Sequence, residues 1–101
     1  MLTSKQRAYL RSLANKLDTI LILGKGEITD NIIRQADTAL TAREIIKGKV
    51  LENCAYSSRE AAEILAEKCS ADVVQVIGSK FVLYRENPDE PVIVLPKAKK
   101  K

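Results

Sequence analysis

The stretch Val73-Val74-Gln75-Val76-Ile77-Gly78-Ser79-Lys80-Phe81-Val82-Leu83-Tyr84 decides how this chain folds. Two runs rich in β-branched and aromatic residues, at positions 73–77 and 81–84, are separated by a short connection that contains glycine. This pattern predicts two strands joined as a β-hairpin. It is the clearest turn in the sequence.

A helix is predicted directly before the hairpin. Ser57 and Glu60 have the spacing of a capping box, in which each side chain accepts a hydrogen bond from the other residue's backbone N–H. Apolar residues follow at helical intervals up to Cys69. The outer face of this helix carries the acids Glu60, Glu63 and Glu67.

A strand at 45–51 is predicted before that helix. Lys47 and Lys49 are two positions apart and therefore point to the same face of the sheet. Gly48 between them lowers the intrinsic stability of the strand. The two lysines are suited to neutralising the phosphates of a backbone that crosses this face. Protection of an edge strand by lysine explains them equally well.

Further towards the N-terminus, an apolar run at 19–23 predicts a strand covered on both faces, and a helix at 29–42 follows with Thr29 as its N-cap. Between them lies Gly24-Lys25-Gly26-Glu27. This segment suits a bound phosphate for three reasons. The glycines allow a ligand to approach the backbone closely, the start of the helix offers N–H groups without partners, and Lys25 adds a positive charge. A tight strand-to-helix turn explains the glycines without any ligand.

The first helix is predicted over residues 4–15, with Thr3 and Gln6 forming another capping box. The basic residues of this helix lie outside its apolar stripe; they are Lys5, Arg7, Arg11 and Lys16.

After the hairpin, residues 87–91 break the strand pattern, and residues 92–95 are expected to form a brief edge strand.

The fold class that follows is α/β (α+β), with the order α-β-α-β-α-β-β and helices packed on one four-stranded mixed sheet. The length of 101 residues suffices for one hydrophobic core. We place a single domain at residues 1–96 and a basic tail at 97–101.

Charge is divided unevenly along the chain, whose net charge is +4. Residues 1–50 contain nine Lys or Arg and five Asp or Glu, whereas residues 51–96 contain four Lys or Arg and eight Asp or Glu. The last five residues add four lysines. A basic region favours a polyanionic partner, and nucleic acid is the best candidate because no segment is apolar enough to span a membrane. Solvated lysines on an ordinary surface are the alternative.

The residue types make several chemistries improbable. The chain has no histidine, which is the commonest general base and metal ligand, and its two cysteines are too far apart for a Cys-x-x-Cys motif. Walker and Rossmann fingerprints are also absent. We therefore expect no enzyme activity, no cofactor, no metal and two reduced thiols. The N-terminus has no signal-peptide pattern, which favours a cytoplasmic location.

Taken in order, several blocks of the sequence resemble a known family. Together with the basic first helix, these blocks cover about residues 2–96. Their order and spacing resemble those of the YhbY family of stand-alone CRM (chloroplast RNA splicing and ribosome maturation) domains. The resemblance implies a fold similar to the C-terminal domain of translation initiation factor three. It also implies a non-catalytic RNA-binding role in maturation of the large ribosomal subunit. The blocks are 20–26, 28–33, 45–50 with Asn53 behind it, and 74–85.

The Gly-x-x-Gly loop of that family maps onto Gly24 to Glu27. The first glycine matches, but Glu27 replaces the second and Gly26 stands one place early. Because an acid repels phosphate, either Gly26 supplies the close approach while Glu27 turns outward, or the loop contributes less than in relatives. The predicted RNA-binding residues are Gly24, Lys25, Gly26, Thr29, Asn31, Lys47, Lys49, Lys5, Arg7 and Arg11.

Our leading interpretation is a monomeric protein that holds a structured segment of ribosomal RNA precursor during assembly of the large (50S) subunit, mainly through charge and shape. Phe81 and Tyr84 are expected in the core rather than stacked on bases. The alternative is a protein-interaction module whose acidic third helix docks a basic partner such as a ribosomal protein.

Overall fold

The computed structural model describes residues 2–24, 26, 28–87, 89 and 93. Within them the chain follows the predicted order α-β-α-β-α-β-β. Apart from Ile93, the strand predicted at 92–95 lies outside the described residues, as does the tail at 97–101. The helices are α1 (Ser4–Ala14), α2 (Asp30–Arg43) and α3 (Ser58–Cys69), and the strands are β1 (Leu21–Leu23), β2 (Ile45–Val50), β3 (Asp72–Ile77) and β4 (Lys80–Tyr84).

The four strands form one sheet in the spatial order β1-β2-β4-β3. The pair β1 and β2 is parallel, whereas β4 is antiparallel to both β2 and β3. The sheet is therefore mixed, as predicted, and β3 and β4 form the predicted hairpin. Because β2 lies inside the sheet, edge-strand protection does not explain Lys47 and Lys49.

All three helices begin at the capping residues that the sequence indicates. Both predicted capping boxes are present, at Thr3 with Gln6 and at Ser57 with Glu60. The Thr29 hydroxyl accepts a hydrogen bond from the Ile32 N–H at 3.3 Å. These bonds satisfy N–H groups that would otherwise lack partners within each helix.

The helices cover the sheet from both sides. On one side α2 and α3 close the larger core, which includes Leu23, Leu40, Leu65, Phe81 and Leu83. On the other side α1 packs on β2, β3 and β4. This second core includes Leu10, Ala14, Ile45, Val74, Val82 and Tyr84. The burial of Phe81 and Tyr84, at 1% and 3% exposure, confirms that both belong to the core.

A glycine in the middle of β2 makes room for the largest core side chain. Gly48 is paired with Phe81, and a Cβ atom on Gly48 would lie only 2.3 Å from Phe81 Cζ. The aromatic ring therefore lies directly over the glycine backbone. Gly48 lowers the strand propensity of β2, as the sequence predicts, but it is the residue that allows Phe81 to pack.

The prediction for the first strand was wrong in one respect. The strand spans only Leu21–Leu23, and Ile22 is 59% exposed rather than covered on both faces. The reason is geometric, because α1 packs on the three other strands and the side of β1 that carries Ile22 is left open to solvent.

A buried carboxylate and a half-buried guanidinium attach the chain after β4 to α2. The carboxylate of Glu44, a residue with no exposed surface, accepts hydrogen bonds from the Asn87 and Ile93 N–H groups at 2.7 and 2.6 Å. Arg85 donates to the Asp37 carboxylate at 2.6 Å and to the Cys69 carbonyl at 2.8 Å. Neither attachment was predicted from sequence.

The hydroxyl of Tyr84 is buried and has no hydrogen-bond partner among the described residues. Burial, together with the nearby carboxylate of Glu44, raises the pKa of Tyr84 to about 12. A buried hydroxyl without a partner destabilises the folded state because it has lost its hydrogen bonds to water.

We predict that Gly48→Ala lowers the free energy of unfolding by at least ~2 kcal/mol, since the new methyl group collides with the Phe81 ring. Urea denaturation measures this loss. Adding Phe81→Leu should recover part of it, so that the double variant is more stable than the sum of the two single effects implies. A Gly48→Ala variant as stable as the wild type would contradict the packing described here.

We predict that Tyr84→Phe stabilises the fold by about 1 kcal/mol at neutral pH, because it removes the unpartnered hydroxyl. The tyrosine also has a higher pKa when folded than the usual value near 10, so the unfolded chain ionises first as the pH rises. Wild-type stability should therefore fall between pH 10 and 12 relative to the variant. If the stabilities of the wild type and of Tyr84→Phe changed equally between pH 10 and 12, the raised pKa of Tyr84 in the folded protein would be contradicted.

Candidate functional site

The register of the sheet aligns four side chains in one row. Ile22 of β1 pairs with Lys49 of β2, Lys49 pairs with Lys80 of β4, and Lys80 pairs with Ile77 of β3. Directly paired residues point to the same face of a sheet. The row thus places two lysines side by side between two isoleucines that are 59% and 62% exposed.

A second row lies next to the first, on the side towards α1. Lys47 of β2 pairs with Val82 of β4, and Val82 pairs with Gln75 of β3. This confirms that Lys47 and Lys49 share one face. We call the part of this face that α1 leaves uncovered the open face; it consists of Ile22, Lys47, Lys49, Gln75, Ile77 and Lys80.

The positive charge of the open face is not balanced within the described part of the chain. Like charges placed directly opposite one another destabilise a sheet, and Lys49 and Lys80 are such a pair. Neither these two lysines nor Lys47 forms an ion pair or hydrogen bond with any described residue. An anion bound between the lysines would relieve their repulsion.

A depression of about 180 Å³ lies where the end of α1 meets the open face. Its lining combines two amides, two lysines and apolar side chains, and no acid lines it among the described residues. The lining includes Asn15, Lys47, Gln75, Ile77, Lys80 and Val82.

A β-bulge in β3 determines which side chains reach this depression. The register with β4 shifts between Val73 and Gln75, so that Val74 is an extra residue. The bulge turns Gln75 towards the open face, since one inserted residue reverses the alternation of the strand. The Arg7 guanidinium donates to the carbonyls of Val73 and Val74 at this bulge.

The basic residues of α1 do not gather at the open face. Arg7 is half-buried against the bulge, and Lys5 is exposed in the first turn. Lys5 lies about 15 Å along the helix axis from Asn15, at a rise of 1.5 Å per residue. Arg11 is half-buried. Only Lys16, which directly follows Asn15, is an exposed cation at the end of α1 that borders the depression.

Gly24, the first residue of the glycine loop, lies at the edge of the sheet beside the row of lysines. Gly24 follows Ile22 by two residues along β1, which places it roughly 8 Å from Lys49 by strand geometry. Gly26 is exposed, has a φ of +95° and accepts a hydrogen bond from the Ala55 N–H at 3.4 Å. Lys25 and Glu27 lie outside the described residues.

The start of α2 follows this loop. Thr29 is committed to capping the helix, and Asn31 is exposed in its first turn. The body of α2 packs on the side of the sheet opposite the open face. Of the predicted residues, the structure therefore groups Lys47 and Lys49 closely and places Gly24 at their border. Thr29 and Asn31 belong to the start of α2, the helix that packs on the opposite side of the sheet.

The acidic face of α3 is partly neutralised by its own neighbours. Glu60, Glu63 and Glu67 are exposed, as predicted. However, the Glu60 carboxylate accepts from the Ser57 N–H at 3.0 Å, and the Glu63 carboxylate lies 4.0 Å from the Arg59 guanidinium. Glu67 forms no ion pair with a described residue, so part of this acidic face remains open to a basic partner.

The two cysteines differ in burial. Cys54 is half-buried and Cys69 is buried, and the two are not joined in a disulfide. The burial of Cys69 in the larger core confirms the prediction that at least one cysteine lies in a core. Burial raises the pKa of the Cys69 thiol. Within the described ranges, no cluster of three His, Cys, Asp or Glu residues could hold a metal ion, and no helix is long and apolar enough to cross a membrane.

Sequence reasoning missed three residues of this site. The sequence pattern places Lys80 in the hairpin turn, and its position opposite Lys49 depends on a register that the sequence does not reveal. The pattern makes Gln75 one residue of an apolar strand, because the bulge at Val74 carries no glycine signal. Asn15 is predicted only as the end of the first helix.

Comparison with known proteins agrees with this fold. The chain is 45% identical over 96 residues to the protein named Probable RNA-binding protein YqeI of Bacillus subtilis, covering 95% of this chain and all of that protein. It is 33% identical to a protein of Haemophilus influenzae named RNA-binding protein, covering 95% of this chain and 96% of the relative. The solution structure of a Staphylococcus aureus protein matches with a TM-score of 0.79 and 49% identity, covering 95% of this chain and all of the other.

A family model for the CRS1/YhbY (CRM) domain matches residues 2–85, which include every helix and strand described above. The chain therefore belongs to the CRS1/YhbY (CRM) domain family.

Proposed function

We propose that this protein is a non-catalytic RNA-binding protein that contacts RNA through the open face and the adjoining glycine loop. The observation that carries the proposal is the unbalanced pair Lys49 and Lys80, with Lys47 two residues away on the same face. The names of its relatives from Bacillus subtilis and Haemophilus influenzae support RNA as the polyanion.

The chemistry of the open face favours contacts to the RNA backbone. Lysine ammonium groups neutralise phosphates and release counterions, which gives affinity without requiring a particular base sequence. The aromatic residues of β4 are buried, so the open face offers no stacking platform for a run of single-stranded bases. Structured RNA, recognised through its shape and backbone, is the ligand class that fits.

The glycine loop adds a second contact at the border of the same surface. Gly24 and Gly26 have no Cβ, and nothing lies within 4 Å of the position that a Cβ on Gly26 would occupy. Because Gly24 lies about 8 Å from Lys49, a sugar-phosphate backbone that crosses the lysines can continue onto this loop. In this proposal Lys25, the N–H groups at the start of α2 and the amide of Asn31 continue the path of the RNA backbone.

We further propose that the RNA is a ribosomal RNA precursor, bound during assembly of the large subunit in the cytoplasm by a monomer of this protein. The resemblance to stand-alone CRM domains supports this role. Affinity for a structured fragment of large-subunit ribosomal RNA should exceed affinity for a small-subunit fragment of equal length and for transfer RNA. Equal competition by all three would contradict the ribosomal assignment while leaving RNA binding intact.

We predict that the combined variant Lys47→Ala, Lys49→Ala and Lys80→Ala weakens RNA binding and flattens its salt dependence. Each neutralised phosphate contributes about −0.7 to −0.9 to the slope of log K against log salt, so the slope should become shallower by about 2. Fluorescence anisotropy with a labelled ribosomal RNA hairpin at several salt concentrations measures both quantities.

A matched control replaces three exposed cations on the other side of the sheet, Arg34, Arg59 and Lys68, by alanine. This variant has the same net charge as the lysine variant, and we expect it to keep nearly the wild-type slope. Equal losses in the two variants would mean that binding follows total charge, and the open face would not be the site.

A further inference from the structure

The depression at the end of α1 has features that phosphate binding alone does not require. Its volume of about 180 Å³ exceeds the 150 Å³ that admits a benzene molecule in a protein cavity. The depression is therefore large enough in volume for a single six-membered aromatic ring. The lysines of the open face need no such space to contact a phosphate backbone that passes over them.

The lining is chemically suited to a nucleobase. Val82 and Ile77 supply apolar surface for the face of a ring, while the amides of Asn15 and Gln75 each offer donors and an acceptor for its polar edge. Lys47 and Lys80 at the same depression are placed for the phosphates on either side of the nucleotide. None of the described residues that line the depression is acidic, which suits a polyanion.

Specific contacts hold the backbone that carries Gln75 in this position. The bulge at Val74 directs Gln75 to the open face, and the Arg7 guanidinium bonds to the two carbonyls exposed at the bulge. A strand without the bulge would direct residue 75 to the opposite face. Arg7 is thus a positioning residue for Gln75.

We infer that the depression receives one unpaired nucleotide extruded from the bound RNA, with its base between Ile77, Val82 and the two amides. This inference rests on the proposed RNA-binding function and names the structural class of RNA that the open face selects. Unpaired bases at bulges and loops are the parts of folded RNA whose edges are free to bond with protein. The ligand is therefore a helix interrupted by a bulge rather than a perfect duplex.

The test compares two RNA hairpins that differ only in one bulged nucleotide, with each of the four bases placed at the bulge in turn. The wild-type protein should bind the preferred bulged hairpin about tenfold more tightly than the fully paired one at fixed salt. Gln75→Ala and Asn15→Ala should each remove most of this preference and leave the salt slope unchanged. Gln35→Ala, an exposed glutamine on α2, is the matched control and should retain the preference.

The outcomes separate this inference from the proposed function. Equal wild-type affinity for bulged and paired hairpins, or a preference that survives both Gln75→Ala and Asn15→Ala, would overturn the nucleotide site while leaving RNA binding established. If neither hairpin bound at low salt, the RNA-binding function itself would fail.

The role of Arg7 gives an independent check. We predict that Arg7→Ala reduces the preference for the bulged hairpin without changing the salt slope, because its guanidinium holds the bulge rather than a phosphate. Circular dichroism establishes that the variant is folded at the assay temperature. A slope shallower by about 1 with the preference intact would instead assign Arg7 to a phosphate contact and contradict its positioning role.

Discussion

The ring of Phe81, packed over Gly48, fixes how the two central strands pair. A register shift of one residue would place a side chain from β2 where the ring now lies, and it would also move Lys47 and Lys49 to the face covered by α2 and α3. The same contact that closes the core thus sets Lys49 opposite Lys80. The unfavourable charge pair on the surface is a consequence of favourable packing on the other side of the sheet.

The shape of the proposed site depends on two departures from a regular layered fold. The helix α1 covers β2, β3 and β4 on one side but leaves the rows around Lys47 and Lys49 open. The bulge at Val74 then redirects Gln75 and Ile77 to that open area. Together they produce a depression bordered by amides and lysines next to a flat basic surface.

Sequence patterns predicted the elements of this fold more completely than the site. Capping boxes and apolar periodicity located all three helices, and the spacing of Lys47 and Lys49 placed both on one face. The partners of these lysines depend on the cross-strand register, which arises from contacts distant in sequence. The exposure of Ile22 likewise depends on where α1 packs. Arg7, Glu44 and Arg85 each form a polar contact with a residue more than 40 positions away in the sequence, so these contacts could not be predicted from local patterns. The contact of Arg7 also requires the bulge at Val74, which has no sequence signal.

The central claim is that RNA lies on the open face, and amide chemical-shift mapping by NMR tests it most directly. Titration of the isotope-labelled protein with a bulged ribosomal RNA hairpin should shift the amides of Lys47, Lys49, Gln75 and Lys80, followed by those of Gly24 and Gly26. The amides on the outer face of α3, around Glu63, should remain unchanged. Shifts confined to α3, or spread evenly over the whole chain, would contradict the account.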